Sequence, residues 1–131
     1  MTAQLSDRAK ALLDAKSFAV VSTIQPDGSP QSSVVWVKRD GDDILFSTVQ
    51  GRRKQLNLVR DPRVSIVINP ADSPYEYLEV RGEVTMTTEG ARALIDELAA
   101  KYMGQEKYTM DGPDDVRVIV RLAPSKVLGR I

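Results

Sequence analysis

The sequence contains no cysteine and no histidine. Without cysteine there are no disulfides, thiolate nucleophiles or zinc–thiolate centres. Without histidine the usual general base, the Ser-His-Asp triad and the commonest metal ligand are also gone, so no metal site is expected. Eighteen basic residues balance eighteen acidic ones, which leaves no overall basic field to draw nucleic acid. Aromatic residues make up 5% of the chain and form no stripe interleaved with basic residues, so a single-stranded nucleic acid has no stacking platform. The longest apolar runs reach about five residues, against the ~20 of a membrane-spanning helix. Residues 1–13 are amphipathic and charged, without the apolar centre of a signal peptide. The expectations are a cytoplasmic location, no membrane and no nucleic-acid partner. The patterns G-x-G-x-x-G, G-x-x-x-x-G-K-[ST] and G-x-S-x-G are missing as well. An enzyme built this way needs an organic cofactor to carry the chemistry, with the protein supplying position and electrostatics.

What is present reads as one folded domain. The 131 residues are 42% hydrophobic and 27% charged, a soluble, core-forming composition. Ser6 or Asp7 is placed to cap a first helix ending near Lys16, with Leu5, Ala9, Leu12 and Leu13 on its buried side. Residues 18–24 form a strand too uniformly apolar for one wet face. An Asp27-Gly28 turn leads back through a strand over residues 31–39, and Asp40 to Asp43 turn into another over 44–49. That acidic turn lacks the ligand spacing of a calcium loop. Residues 64–68 are a strand apolar on both faces, one for the core and one for a partner subunit. A long alternating strand spans 75–88, and Gly82 within it signals a bulge or a close backbone approach. Thr88 is placed to cap a helix running to Tyr102 or Met103 with Ala91, Leu94, Ile95 and Leu98 as its core stripe. Residues 104–115 form a polar loop, 116–122 a last long strand, and Val127-Leu128 closes the chain. This order predicts an antiparallel α+β fold, a small closed barrel.

The most informative stretch is 44–63. A strand ends at Val49, Gly51 breaks it, and a short helix follows with Leu56, Leu58 and Val59 as apolar positions, ending before Pro62. Arg52, Arg53 and Lys54 fall in its first turn, where the helix dipole and unpaired N–H groups already present positive charge. An anion such as a phosphate would relieve that arrangement; three solvated side chains, each losing ~0.3–1 kcal/mol against the dipole, are the plain alternative. Trp36 reads as a core residue before a ring-stacking one, although Ser32 and Ser33 beside it are polar for a core strand. Tyr75 and Tyr77 either rim a pocket or are surface aromatics. Glu79 and Arg81 read as an exposed, weak pair.

Four blocks carry a family resemblance. They are Val21-Ser-Thr-Ile24 with Asp27-Gly28-x-Pro30-Gln31, then Ser47-Thr48 with Gly51-Arg52-Arg53-Lys54. Asn57-Leu58-x-Arg60-Asp61-Pro62-Arg63-Val64-Ser65 is the third, and Tyr75-x-Tyr77-x-Glu79-Val80-Arg81-Gly82 the last. Over nearly its whole length the chain resembles the pyridoxamine 5′-phosphate oxidase-like, FMN-binding split barrels. More narrowly, it is similar to the flavin/deazaflavin oxidoreductases of actinobacteria that use coenzyme F420. The resemblance implies a mainly antiparallel α+β fold, a six-to-seven-stranded split β-barrel with a few short helices. It also implies a homodimer with two cofactor sites at its interface. Arg52 and Lys54 match the positions that hold the cofactor phosphate, with Arg53 and Asn57 nearby and Ser47 and Thr48 ending the strand beneath. Ser32, Ser33, Val34, Val35 and Trp36 match the strand bordering the isoalloxazine-like ring. Tyr75 and Tyr77 match the region that reaches toward the partner's site. The extra basic residues of pyridoxamine-phosphate oxidases proper have no match here, so that activity is not expected.

The implied reaction is hydride transfer from reduced F420 to a small, electron-poor conjugated acceptor, quinone- or enone-like. Three consecutive cations, with Lys38 and Arg39 in reach, favour the longer polyanion of F420 over FMN. An FMN-dependent reductase or oxidase of the same fold and a non-catalytic F420 carrier are the alternatives. No catalytic residue stands out; Ser33, Tyr75 and Tyr77 are the candidate proton donors.

Overall fold

Period-two burial closes a barrel. The computed structural model describes residues 3–131. Its elements are α1 (Asp7–Asp14), β1 (Phe18–Ile24), β2 (Pro30–Asp40), β3 (Asp43–Val49), α2 (Arg53–Arg60), β4 (Arg63–Ile68), β5 (Tyr77–Thr87), α3 (Ala91–Met103) and β6 (Arg117–Arg130). The six strands pair antiparallel in the closed order β1-β2-β3-β6-β5-β4. Alternate residues point inward: Ala19 and Val21, Val35 and Val37, Ile44 and Phe46, Ile66 and Ile68, Leu78 and Val80, Val120 and Leu122, all buried in one core. Each larger side chain in that set contributes roughly 1.5–3 kcal/mol by leaving water.

The helices cover what the barrel leaves open. Ser6 caps α1, its hydroxyl accepting the Ala9 N–H at 3.1 Å. The helix stops at Asp14, two residues short of the expected Lys16, because Ala15 turns extended to lead into β1. α3 lies outside β2, β3 and β6, and buries Leu94, Ile95, Leu98 and Tyr102 against Leu45, Trp36 and Ile119. Its core stripe is the expected one, but Thr88 does not cap it. Gly90 takes that place in a left-handed conformation, φ 77°, with no side-chain cap. α2 closes one end of the barrel. Leu58 is buried as expected, yet Leu56 and Val59 are exposed and the polar Gln55 and Asn57 are buried instead. The strand ends beneath α2 offer hydroxyls and amides, not an apolar floor, so the inward face of the helix is polar.

Two further differences concern strands. β6 does not stop at 122; it runs unbroken to Arg130 against β5. Pro124, which lacks an N–H, is accommodated by a bulge where Arg81 pairs Lys126 but Gly82 pairs Pro124. Gly82 is the close approach anticipated there, since a Cβ would stand 2.2 Å from the Ala123 carbonyl oxygen. β1 does have an uncovered face. Phe18 and Val20 point outward and are exposed, and Val20 pairs with Val34 on one side and Val67 on the other. Among the described residues nothing covers this apolar row.

Candidate functional site

The first turn of α2 is where charge and geometry converge. Gly51, at φ 91°, makes the turn after β3, and its N–H is taken by the Gln55 side chain at 2.9 Å. Arg52 is the N-cap and makes no side-chain cap bond, so the first-turn N–H groups keep their dipole unanswered. The Lys54 ammonium folds back over the barrel, donating to Ser33 Oγ at 2.9 Å and standing 6.0 Å from the Phe46 ring centre. Burial, then the charges of Arg52 and Arg117, push the Lys54 pKa below its ordinary value.

These groups open onto a cleft of about 220 Å³ between β2, the start of α2, α3 and the 104–116 loop. Of the residues singled out in the sequence, Val34, Val35, Trp36, Ser47, Arg52 and Lys54 line it. Ser33 stands behind as the partner of Lys54. The remaining expected site residues lie elsewhere. Ser32 bonds Ser22 on the exposed sheet face, Oγ to Oγ at 2.8 Å. Arg53 projects into solvent. Thr48 is buried with an unpartnered Oγ1. Asn57 is buried too; its amide nitrogen donates to Thr23 Oγ1 and Gln25 Oε1, both at 3.0 Å, while its Oδ1 lacks a partner. Asn57 thus joins α2 to the polar end of β1. Tyr75 and Tyr77 are exposed at the entry to β5, away from the cleft. Lys38 and Arg39 are not in reach of it either: they pair with Glu97 and Asp14 around a separate hollow shared with Lys101.

Trp36 has a packing role as well as a wall position. Its ring stacks on Tyr102 at 5.4 Å, with 7° between planes, and meets the Tyr108 edge at 6.0 Å. Tyr108 and Arg117, both from the far wall, were not legible as site residues. Arg117 is 7% exposed, packs on the Tyr108 ring at 4.8 Å, and is held in a two-pronged bond by Asp111. The Asp111 carboxyl is held below its usual pKa, chiefly by Arg117 and also by Arg92. The signal available in the sequence was an arginine opening a strand shortly after an aspartate, which is too common to single out.

A larger hollow, about 770 Å³, lies on the outer side of β1, β4, β5 and β6. Its two guanidiniums are already paired, Arg63 with Asp61 and Arg81 with Glu79. In the α2 cleft Arg117 is paired with Asp111, but among the described residues Arg52 and Lys54 have no carboxylate partner, and no carboxylate lines the cleft itself. It is the better anion site. No group of three or more metal-ligating side chains occurs among the described residues, and none of the described helices is long and apolar enough to cross a membrane.

The same fold recurs in solved structures. One described as an F420 reductase is 28% identical, with a TM-score of 0.82, covering 95% of this chain and 98% of its own. A conserved hypothetical protein from Mycobacterium tuberculosis is 22% identical with a TM-score of 0.79, covering 98% of this chain and 86% of its own. A Listeria innocua protein described as a pyridoxamine 5′-phosphate oxidase is 19% identical with a TM-score of 0.73, covering 94% and 95%. The six-stranded antiparallel barrel with three short helices is the split barrel of these proteins. A family model described as pyridoxamine 5′-phosphate oxidase matches residues 5–129, and the chain belongs to that family.

Proposed function

We propose that the protein is an oxidoreductase that binds coenzyme F420 in the α2 cleft and uses it to reduce a small, electron-poor conjugated acceptor, quinone- or enone-like. The observation that carries this reading is the convergence of Arg52, Lys54 and Arg117 on a cleft that no carboxylate lines among the described residues. Guanidinium and ammonium groups flanked by the Ser33 and Ser47 hydroxyls are the donor set a phosphate needs. Arg53, just outside the cleft and without an ion-pair partner among the described residues, suits an anionic chain longer than one phosphate. The 28% identity to a protein described as an F420 reductase supports the same choice. Bound there, reduced F420 would supply the hydride. Arg52 and Lys54 would hold its phosphate, and Val34, Val35 and Trp36 would border its ring and keep water from it.

The working unit in this reading is a homodimer. A cleft of about 220 Å³ is small beside the ~300–1,000 Å³ that enclose a ligand of this size. The row Val34–Val20–Val67 beside it is 65%, 41% and 38% exposed. A second copy covering that row would complete the site. Val20→Glu should then shift the protein from dimer to monomer in analytical ultracentrifugation.

FMN in the same cleft is the second reading, favoured by one observation. Asp111 offsets part of the Arg117 charge, so Arg52 and Lys54 are the two cleft cations without a carboxylate partner among the described residues, a match for a single terminal phosphate dianion. Fluorescence titration with F420 and FMN, with an Arg52→Ala/Lys54→Ala variant alongside, separates the two. Tight F420 binding that weakens with salt and collapses in the variant supports the proposal. A preference for FMN makes the protein a flavin enzyme, and binding of neither overturns both readings. F420 binding without turnover of any quinone or enone would make it a carrier.

A further inference from the structure

The cleft has two charged walls, and only one was legible as a phosphate site. α2 supplies Arg52 and Lys54 on one side, and Arg117 at the start of β6 stands on the other. The Arg117 side chain is divided in its loyalties. Nε donates to Asp111 Oδ2 at 2.8 Å and Nη2 to Asp111 Oδ1 at 2.7 Å, while the Tyr108 ring covers one face of the guanidinium. Nη1 is left, and its bond to Ser47 Oγ is long, 3.3 Å. Ser47 is itself a lining residue of the cleft. The fork therefore spends two N–H donors on holding the group and turns the third edge toward the hollow.

Asp111 is built to keep that edge in place. Its side chain is 6% exposed, and besides Arg117 it accepts Arg92 Nη2 from α3 at 2.8 Å. One carboxylate thus ties α3, β6 and the 104–116 loop together, and Tyr108 is pinned separately by its N–H to Asp96 Oδ1 at 2.9 Å. A structural arginine needs only its carboxylate. This one is placed where its charge adds to those of the exposed Arg52 and the half-buried Lys54 around one hollow that no carboxylate lines among the described residues, and its nearness helps to push the Lys54 pKa down.

We propose that Arg117 is an anion-binding residue of the cleft, gripping the ligand's phosphate through Nη1 from the side opposite α2, and that Asp111 is the positioning residue that aims it. This rests on the reading of the cleft as a cofactor site. The ligand it fits carries two negative charges close together, either a terminal phosphate or a phosphodiester beside a carboxylate. Arg52 and Lys54 hold one side and Arg117 the other, with Asp111, which Arg92 shares, offsetting part of the Arg117 charge.

The decisive variant is Arg117→Gln/Asp111→Asn, which exchanges the ion pair for an amide pair of similar shape. Quenching of Trp36, the sole tryptophan and part of the cleft wall, reports binding of FMN, F420, pyrophosphate and the phosphate-free riboflavin at low and high salt. The expected result is a loss of about tenfold or more for FMN, F420 and pyrophosphate, with a shallower salt dependence. Riboflavin binding should stay at its wild-type level. Wild-type affinity for the phosphate ligands in this variant overturns the proposal. If the double variant does not fold, Arg117→Lys decides, since it keeps the charge but not the fork: phosphate ligands should weaken and riboflavin should not, and an equal loss of both overturns the proposal. Asp111→Asn alone should weaken phosphate ligands while the steep salt dependence persists, the mark of lost aim without lost charge. Arg117-dependent pyrophosphate binding without any flavin or F420 binding would sink the cofactor reading and leave this one standing. Cofactor binding indifferent to Arg117 does the reverse.

Discussion

Replacing Lys54 by methionine should weaken cofactor binding and leave the fold at least as stable, two effects of opposite sign from one substitution. Lys54 is half-buried, donates to Ser33 at 2.9 Å, and faces Arg52 and Arg117 without a carboxylate partner. Its pKa is below the ordinary 10.5, first through burial and then through those two charges. A base with a lowered folded pKa binds fewer protons folded than unfolded, so stability rises with pH through the window just below 10.5. At neutral pH the whole cost of the charge is present. Methionine keeps the stem and removes that cost, a gain of about 1–2 kcal/mol by analogy with other relieved functional sites. The lost hydrogen bond to Ser33 offsets about 1 kcal/mol. The melting temperature should therefore match wild type or exceed it by up to about 4 °C, at about 3–4 °C per kcal/mol for a chain of this size. Binding moves the other way. A charge-assisted bond to phosphate contributes about 1.5–3 kcal/mol, so affinity should fall about 10- to 150-fold. Calorimetric melting and a fluorescence titration on the same preparation read both. A melting temperature about 5 °C lower with affinity unchanged would refute the reasoning and make Lys54 a structural strut.

Other residues offer independent checks. Lys101→Met removes an ammonium that donates to the Leu13 and Val37 carbonyls at 2.8 and 2.7 Å; β1–β2 pairing ends at Phe18–Trp36, so Val37 depends on α3 for this partner. The cost in urea unfolding should be about 2–4 kcal/mol, and a loss under about 1 kcal/mol would contradict it. Gly82→Ala would place a Cβ 2.2 Å from the Ala123 oxygen and 2.8 Å from Leu122 Cδ1. It must open the β5–β6 bulge at a cost of about 3 kcal/mol or more by the same measurement. Asp61 is held down to about 2 by Arg63, and the Asp111, Glu79, Asp14 and Asp40 carboxyls are also lowered by arginines. Such groups stabilise the fold fully above the ordinary carboxylate range and lose that contribution as pH falls toward about 2. The melting temperature should be level above about pH 5 and drop steadily below about pH 4, whereas equal values at pH 3 and pH 6 would exclude this.

Local signals carried far where they were redundant. Asp-Gly at 27–28, the alternation over 77–87 and the 91–98 stripe each combine a turn or period with apolar residues, and the corresponding elements stand where expected. They failed where one signal stood against tertiary context. Thr88 is a good cap by itself, yet Gly90 provides the left-handed entry the chain follows. Leu56 and Val59 are apolar in a helix, but the barrel end under α2 is polar, so they face outward. The last long strand was expected over 116–122, and the bulge at Gly82 lets β6 continue past Pro124.

By itself the sequence determined what chemistry is possible. Lacking histidine and cysteine, it left an enzyme only a borrowed cofactor; its element order read as an antiparallel barrel, and its first-turn cations left a phosphate site and a solvated face both open. These conclusions rest on residue identity and on neighbours a few positions apart, which chain geometry alone relates. Tertiary structure decided which cations share a cleft. It set Arg53 outside, sent Lys38 and Arg39 to another hollow, and brought Arg117 across from β6, 63 residues after Lys54 in the sequence. The reason is that barrel closure places β6 beside β3, and once Ile119 and Val120 take their faces, Arg117 must project beside Ser47 at the cleft.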